Sequence, residues 1–285
     1  MFRLITVANR KGKNRSDKRK IEAVKPKTDR KLLLIPLILI VIFTVILVSY
    51  DLGLFSPGES ADSGISVITP SYLEPGYFAK ISNSNLGSRG TVSVYFLSWY
   101  GCPIGAAESW IIYNFTRQYI QGTGYIKNES HTSDPNIAFP DTPGLIFNNY
   151  TMTYDGLHYS FNSAYVYGEY PTGTDLVRNG SQVMNASFPH TVSTIFYQFE
   201  TQIPLGTSSA SKPSAISEGH LTTAIIVSGN NGTYIVEGSI FNPSLLSGYK
   251  PLHVLEAVDQ GSAEFSSSIG AGTVYFEKVL SDAIA

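Results

Sequence analysis

The most informative hydrophobic pattern lies between residues 91 and 120. An apolar run rich in β-branched and aromatic residues, 92–97, predicts a buried strand. Apolar residues then recur at three- and four-residue spacings over 106–115, which predicts a helix. Pro103 suits the first turn of that helix, where a missing backbone N–H costs nothing. The only cysteine of the chain, Cys102, therefore falls where a strand passes into a helix.

The remaining pattern predicts both strands and helices. Residues 122–168 are rich in alternating aromatic positions, with a hairpin signal at Asp155-Gly156 and a turn over 141–144. Helices are predicted over 188–203 and 273–284, the second packing through Val274, Phe276, Val279 and Leu280. Strands over 221–227 and 233–237 flank a turn at 230–232, and a Ser/Ala/Pro-rich surface loop is predicted over 206–217. A short helix or turn is expected to open at Asn242-Pro243.

The N-terminal part differs sharply in charge from the rest of the chain. Residues 1–31 hold 12 of the 20 Lys/Arg residues and 3 of the 22 Asp/Glu residues. They predict a basic cytosolic tail that sets membrane topology, or alternatively a segment that binds anionic lipid head groups or nucleic acid. The other residues contain 8 basic and 19 acidic groups, a composition that suits an acidic external medium because few cations remain unopposed once carboxylates are protonated.

Residues 32–50 form an apolar run of nineteen residues without a charge. That length spans a bilayer core as a helix, so we predict one transmembrane helix, with a cleaved signal peptide as the alternative. The basic flank places the N-terminus in the cytosol and the main domain outside the cell membrane. Residues 51–76 are then a flexible linker, and 77–285 the extracytoplasmic domain.

Trp99, Cys102, Pro103 and Gly105 form the sequence W-x-x-C-P-x-G between the predicted strand and helix. This is the arrangement of the thioredoxin active site, with glycine where the second cysteine of C-x-x-C would stand. A thiol at a helix N-terminus is expected to have a lowered pKa and to be open to attack. Without a resolving thiol, however, no internal disulfide forms. Cys102 is thus the candidate catalytic residue as a monothiol, or else a buried structural cysteine.

The phrase WYGCPIGAAESW resembles the archaeal thioredoxin-like family called domain of unknown function 929, whose members carry G-A-E-x-C-P-x-C-A-A-x-R-W here, usually behind a membrane anchor. Segments 130–134, 140–143, 148–152 and 241–248 also resemble that family. The resemblance implies an α/β domain with a thioredoxin-like mixed sheet flanked by helices and with β-rich insertions, behind one transmembrane helix. Thioredoxins place a cis-proline before the late hairpin, where residues 222–226 have none. Peptide docking against the thiol is therefore expected to be lost or changed.

Three functions remain open at this point. The first is a non-catalytic module that binds a protein or peptide at the cell envelope, the interpretation that we favour over an enzyme. The second is a monothiol oxidoreductase or thiol–disulfide exchange partner acting through Cys102. The third is a glycosylated surface or adhesion protein. Glycosylation triplets suitable for it begin at Asn128, Asn149, Asn179, Asn185 and Asn231, whereas the triplet at Asn114 falls inside the predicted helix.

Other chemistry finds little support in the sequence. The five histidines are scattered singly, so no metal site is predicted, and no cofactor-binding fingerprint occurs. Basic residues are sparse beyond the tail, so the outer domain is not expected to bind nucleic acid. The many aromatic residues are expected to form core rather than a sugar-binding platform. Glu108, in the predicted helix, is expected at the surface or as a supporting group near the thiol.

Overall fold

The computed structural model describes residues 65–132, 138–207 and 211–285, without the side chains of 128–132. The predicted cytosolic tail (1–31), the predicted transmembrane helix (32–50) and the predicted linker up to residue 64 lie outside the described residues. Among the helices that are described, none is long and apolar enough to span a bilayer.

The described chain contains both strands and helices. The strands are β1 (Ala79–Ser82), β2 (Thr91–Ser98), β3 (Ile126–Thr132), β4 (Pro143–Phe147), β5 (Tyr150–Tyr154), β6 (Leu157–Tyr165), β7 (Ala224–Gly229) and β8 (Gly232–Glu237). The α-helices are α1 (Pro103–Thr116), α2 (Leu176–Ser187), α3 (His190–Gln202), α4 (Pro213–Ile216), α5 (Pro251–Asp259) and α6 (Ala263–Ile284). A 3₁₀ turn, Pro243–Leu246, follows β8, and the Asn242 side chain caps it by accepting a hydrogen bond from the Ser244 N–H at 3.0 Å.

Six strands form one mixed sheet in the order β1-β8-β7-β2-β6-β5. Only β2 and β6 run parallel to each other, and every other neighbouring pair is antiparallel. β3 and β4 form a separate two-stranded sheet. The predicted α/β class, a mixed sheet flanked by helices, is confirmed.

Apolar side chains fill both faces of β2, which explains why its sequence is a continuous apolar run rather than an alternation. One face packs under α1 and α6, with Trp110, Phe115 and Phe276 fully buried there. The other face packs under α2 and α3, with Phe196 and Phe199 in its core. The end of β2 that leads to Cys102 is thus held between two layers of helices.

Helix α1 is buried on nearly every side, because it lies between the sheet, β4 and α6. The indole N–H of Trp110 donates to the Pro143 carbonyl at 2.8 Å, so the helix is tied to β4 as well as packed on it. Gly272 lets α6 approach closely, since a Cβ there would stand 2.5 Å from Ile111 Cδ1. The start of α1 therefore has little freedom to move.

Several sequence predictions need correction. The segment 65–76, expected as linker, packs against the domain: Leu73 is buried, and its N–H donates to the Pro204 carbonyl at 2.9 Å. Val274, expected to pack, is 66 % exposed, because it lies on the outer face of α6. Helices α2 and α5 were not predicted, α4 lies in a segment predicted as loop, and α6 begins ten residues earlier than expected.

The Asp155-Gly156 hairpin is confirmed. These two residues join β5 to β6, with φ of 49° and 75° respectively. Both values lie in the left-handed region, as a two-residue turn of type I′ requires. Aspartate and glycine are among the residues that adopt that conformation most readily.

Candidate functional site

Cys102 lies at the N-cap of α1, directly behind β2, and is only 3 % exposed. The Thr223 hydroxyl donates to its Sγ at 3.0 Å from the segment that enters β7. That hydroxyl also lies 2.9 Å from Ser98 Oγ at the end of β2. The thiol therefore sits in a small polar pocket inside an otherwise apolar layer.

The predicted lowering of the thiol pKa is not what the structure shows. Burial raises the pKa of Cys102, and a negative charge on Glu200 raises it slightly further. Hydrogen bonds from Thr223 and from the backbone N–H groups of Gly105 and Ile104 act in the opposite direction but are outweighed. The thiolate is disfavoured because the free-energy cost of its desolvation exceeds the stabilisation that the helix N-terminus and these hydrogen-bond donors provide.

Gly105 stands in a space that admits no side chain. A Cβ built on it would lie 1.9 Å from Ser98 Oγ and 2.9 Å from Thr223 Oγ1. Non-bonded atoms do not approach that closely, so even alanine would force Ser98 to move. The position where a second cysteine would stand is thus occupied by the hydroxyls that surround the first.

The segment before β7 faces the thiol. Thr223 contacts Cys102 directly, and the described residues contain no cis peptide bond. The neighbouring Thr222 N–H donates to both carboxylate oxygens of Glu200, at 3.1 Å and 3.0 Å. A docking peptide could not use that backbone donor without breaking these bonds.

A cavity of about 460 Å³ opens beside the thiol, and we call it the thiol groove. Its wall is largely apolar and includes Trp99, Pro103, Ile104, Phe139, Ile216 and His220. Ile216 is 54 % exposed. The indole N–H of Trp99 is buried and has no acceptor among the described residues. A second cavity of about 480 Å³ shares Ile104 and Phe139 with the groove and extends it towards Phe241.

Three glutamates are buried in the described residues, and the sequence predicted burial for none of them. Glu200 on α3 and Glu237 at the end of β8 are fully buried, and the Thr222 hydroxyl lies 2.8 Å from Glu200 Oε1 and 3.4 Å from Glu237 Oε2. Glu108 on α1 is 1 % exposed, so the expectation of a surface position was wrong. Burial raises the pKa of Glu108 to about 8. The spacing in α3 could have indicated the burial of Glu200, which lies four residues after Phe196 and so on the same buried face of the helix.

The glycosylation candidates fall into two groups. Asn149, Asn179, Asn185 and Asn231 are exposed, and the side chain of Asn128 lies outside the described part. Asn114 is half-buried, and its amide donates to Thr273 Oγ1 at 3.0 Å. The amides of Asn179 and Asn231 donate to the backbone carbonyls of Thr174 and Asp282, each at 3.0 Å.

The histidines do not come together in the described residues. No group of three or more His, Cys, Asp or Glu side chains there is placed to hold a metal ion. His220 is the histidine beside the thiol groove, where its ring packs edge-on against Trp99 at 5.3 Å and its Nδ1 bonds to the Leu221 carbonyl.

No curated protein and no solved structure matches the sequence. One family model does match, over residues 77–281, which spans α1, the thiol groove and all three buried glutamates. This protein therefore belongs to the family described as a domain of unknown function, DUF929.

Proposed function

We propose that the chain is a single-pass membrane protein whose extracytoplasmic domain, a degenerate thioredoxin-like fold, binds a protein or peptide without catalysis. One observation carries the proposal: a buried thiol with no room for a partner thiol forms part of the wall of an open apolar groove. The groove is accessible, whereas the atom that would do chemistry is not.

The order of the central elements supports a thioredoxin-like fold. Strand β2 leads into α1, the parallel β6 lies on one side of β2, and the hairpin β7–β8 lies antiparallel on the other. The long helix α6 then packs on the sheet. A cysteine at the start of the helix that follows the central strand is where the active site of that fold lies. β3, β4 and β5 are then the β-rich insertion.

Three features support a non-catalytic role. Thiol–disulfide exchange needs a thiolate that an incoming disulfide can reach, and Cys102 is buried with a raised pKa. A dithiol cycle needs a second thiol, and the space at Gly105 is taken by Ser98. The third feature is the kind of side chain that forms hydrogen bonds around the thiol in the described residues: these are the hydroxyls of Thr223 and Ser98 rather than basic groups.

The walls of the groove indicate what it would hold. A peptide with a large apolar side chain would cover Ile104, Phe139 and Ile216, and so remove exposed apolar surface from water. Because the Thr222 N–H is already used by Glu200, the ligand is held by side-chain anchoring rather than by extending the sheet.

A random peptide library displayed on phage would test this binding role. We expect peptides enriched on the full chain, held in non-ionic detergent, to share a large apolar residue. Ile216→Asp should weaken the binding of a selected peptide at least about tenfold, as the loss of one buried aliphatic anchor predicts. Val274→Asp, a matched exposed site on α6, should leave it unchanged, and so should Cys102→Ala.

The monothiol alternative predicts a different result. Selected peptides would then contain cysteine, and Cys102→Ala would abolish their capture. If binding were lost in Cys102→Ala while the domain remained folded, the non-catalytic proposal would be abandoned in favour of thiol chemistry.

Membrane topology is part of the proposal and is supported by sequence alone. The uncharged run 32–50 behind a basic tail predicts an N-terminus inside and the domain outside. Protease added to intact cells should digest the domain and leave a protected fragment that contains residues 1–50. Protection of the domain in intact cells would reverse the assigned orientation.

A further inference from the structure

The strongest unexplained feature is the pair of glutamates behind the wall of the thiol groove. Glu200 and Glu237 are both fully buried and come from different elements, α3 and β8. They lie close together, since the Thr222 hydroxyl is 2.8 Å from Glu200 Oε1 and 3.4 Å from Glu237 Oε2, while Glu237 Oε1 is buried without a partner among the described residues. Burying two carboxyls side by side is costly unless they are neutral or share a proton.

Among the described residues, no cation compensates this pair. The ion pairs of the described residues involve other carboxylates, all on the surface. The other titratable groups close enough to act on Glu200 are the Cys102 thiol and the Tyr167 phenol, both neutral in their ordinary state. His220 packs against Tyr167 at the same corner of the molecule. Protons are therefore the available counter-charge.

Thr222 connects the pair to the groove. Its N–H donates to both oxygens of Glu200, and its hydroxyl donates to Glu200 at 2.8 Å and to Glu237 at 3.4 Å. The same residue lines the groove and precedes Thr223, which holds the thiol. A separation of the two carboxyls would thus pull directly on the segment that closes the site.

We propose that the Glu200–Glu237 pair is a proton-operated lock, which fastens the segment before β7 to α3 and β8 in acidic surroundings and loosens it above neutral pH. As pH rises, each carboxyl releases its proton to water, and the second release would leave two like charges together in a dry site. Repulsion and desolvation then favour conformations in which water reaches the pair. The lock goes beyond ligand binding and does not depend on what the groove holds.

The direction of the effect follows from linkage. Burial raises the pKa of both carboxyls, so the folded state binds more protons than the open state above the ordinary glutamate range. The stability that they contribute is therefore fully present in acid and is lost as pH rises through their folded-state pKa values. For each proton released on opening, the equilibrium constant that favours the closed segment over the open one falls up to tenfold per pH unit.

Hydrogen exchange of the full chain in non-ionic detergent tests the lock without any ligand. Protection of peptides covering residues 221–224, corrected for the intrinsic rate, should fall about a hundredfold or more between pH 5 and pH 8. Strand β2, measured in the same samples, should lose much less. The Glu237→Gln variant cannot carry the second charge, so its protection at residues 221–224 should depend much less on pH. The control variant Glu256→Gln, at an exposed position, should show the same pH dependence as the wild-type protein.

Two results would overturn the proposal. One is protection at 221–224 that does not depend on pH in the wild-type protein. The other is a Glu237→Gln profile as steep as the wild-type profile. If Glu237→Gln does not fold, Glu200→Gln replaces it, and the wild-type profile remains decisive by itself.

Discussion

Glu108 allows the clearest quantitative prediction, because it is buried at a separate place from the Glu200–Glu237 pair. Its Oε1 accepts hydrogen bonds from the Ile240 N–H at 2.6 Å and from the Ser239 hydroxyl at 3.4 Å. Its Oε2 is buried and has no partner among the described residues. Glutamine at this position would keep the acceptor oxygen and would remain neutral at every pH. Glu108→Gln therefore removes the titration with little change in shape.

The size of the effect follows from the pKa. Desolvation raises the pKa of Glu108 from 4.5 to about 8, against the smaller lowering by its two hydrogen-bond donors. Because the folded-state pKa is the higher one, the contribution to stability is complete below about pH 4.5 and is lost as pH rises through 8. At about 1.4 kcal/mol per pKa unit, the full loss is about 5 kcal/mol.

Urea unfolding of the wild-type protein and of Glu108→Gln at pH values from 4 to 9 measures this directly. At pH 4 we expect similar free energies of unfolding. By pH 9 the variant should be more stable than the wild-type protein by up to about 5 kcal/mol, with most of the difference arising between pH 5 and 8. A difference that stays constant with pH, or a variant that is less stable at pH 9, would refute the account of a buried, uncompensated carboxyl.

Two further predictions follow from the geometry. Gly105→Ala should destabilise the domain by about 1–3 kcal/mol in urea unfolding, because its Cβ meets Ser98 Oγ. Adding Ser98→Ala should recover part of this loss. If the effects of the two substitutions on the free energy of unfolding simply added, the account of the contact would be contradicted. If the domain lies outside the cell, glycopeptide mass spectrometry should find glycan on Asn185, whose exposed amide has no partner among the described residues, and none on Asn114. Glycan on Asn114 would show that this side chain is not held by Thr273.

Local sequence signals predicted the centre of the fold well. The apolar run of β2, the proline at the start of α1 and the Asp155-Gly156 turn each depend on neighbouring residues alone. Helix α2 was not predicted, because its sequence is polar and contains Gly180 in the interior of the helix. That glycine is required by a distant contact, since a Cβ there would stand 2.4 Å from the Tyr167 hydroxyl oxygen.

The chemistry of the site was less predictable than its position. Sequence placed Cys102 at a helix N-terminus, where a lowered pKa is the usual outcome. The direction was reversed by burial, which outweighs the lowering of the pKa by the hydrogen bond from Thr223, 121 positions away in the sequence. The Glu200–Glu237 pair likewise exists only once α3 and β8 meet in space. Such groups look like ordinary surface charges until the fold brings them inside.

The central claim is that Cys102 is a buried structural thiol beside a binding groove. The most direct test is the rate at which a small alkylating reagent modifies it in the folded full chain, compared with the chain unfolded in urea, from pH 6 to pH 10. We predict slow modification of the folded protein, with a midpoint above the reference thiol value of about 8.5. Fast modification of the folded protein with a midpoint well below 8.5 would contradict the account and establish an exposed, activated thiol.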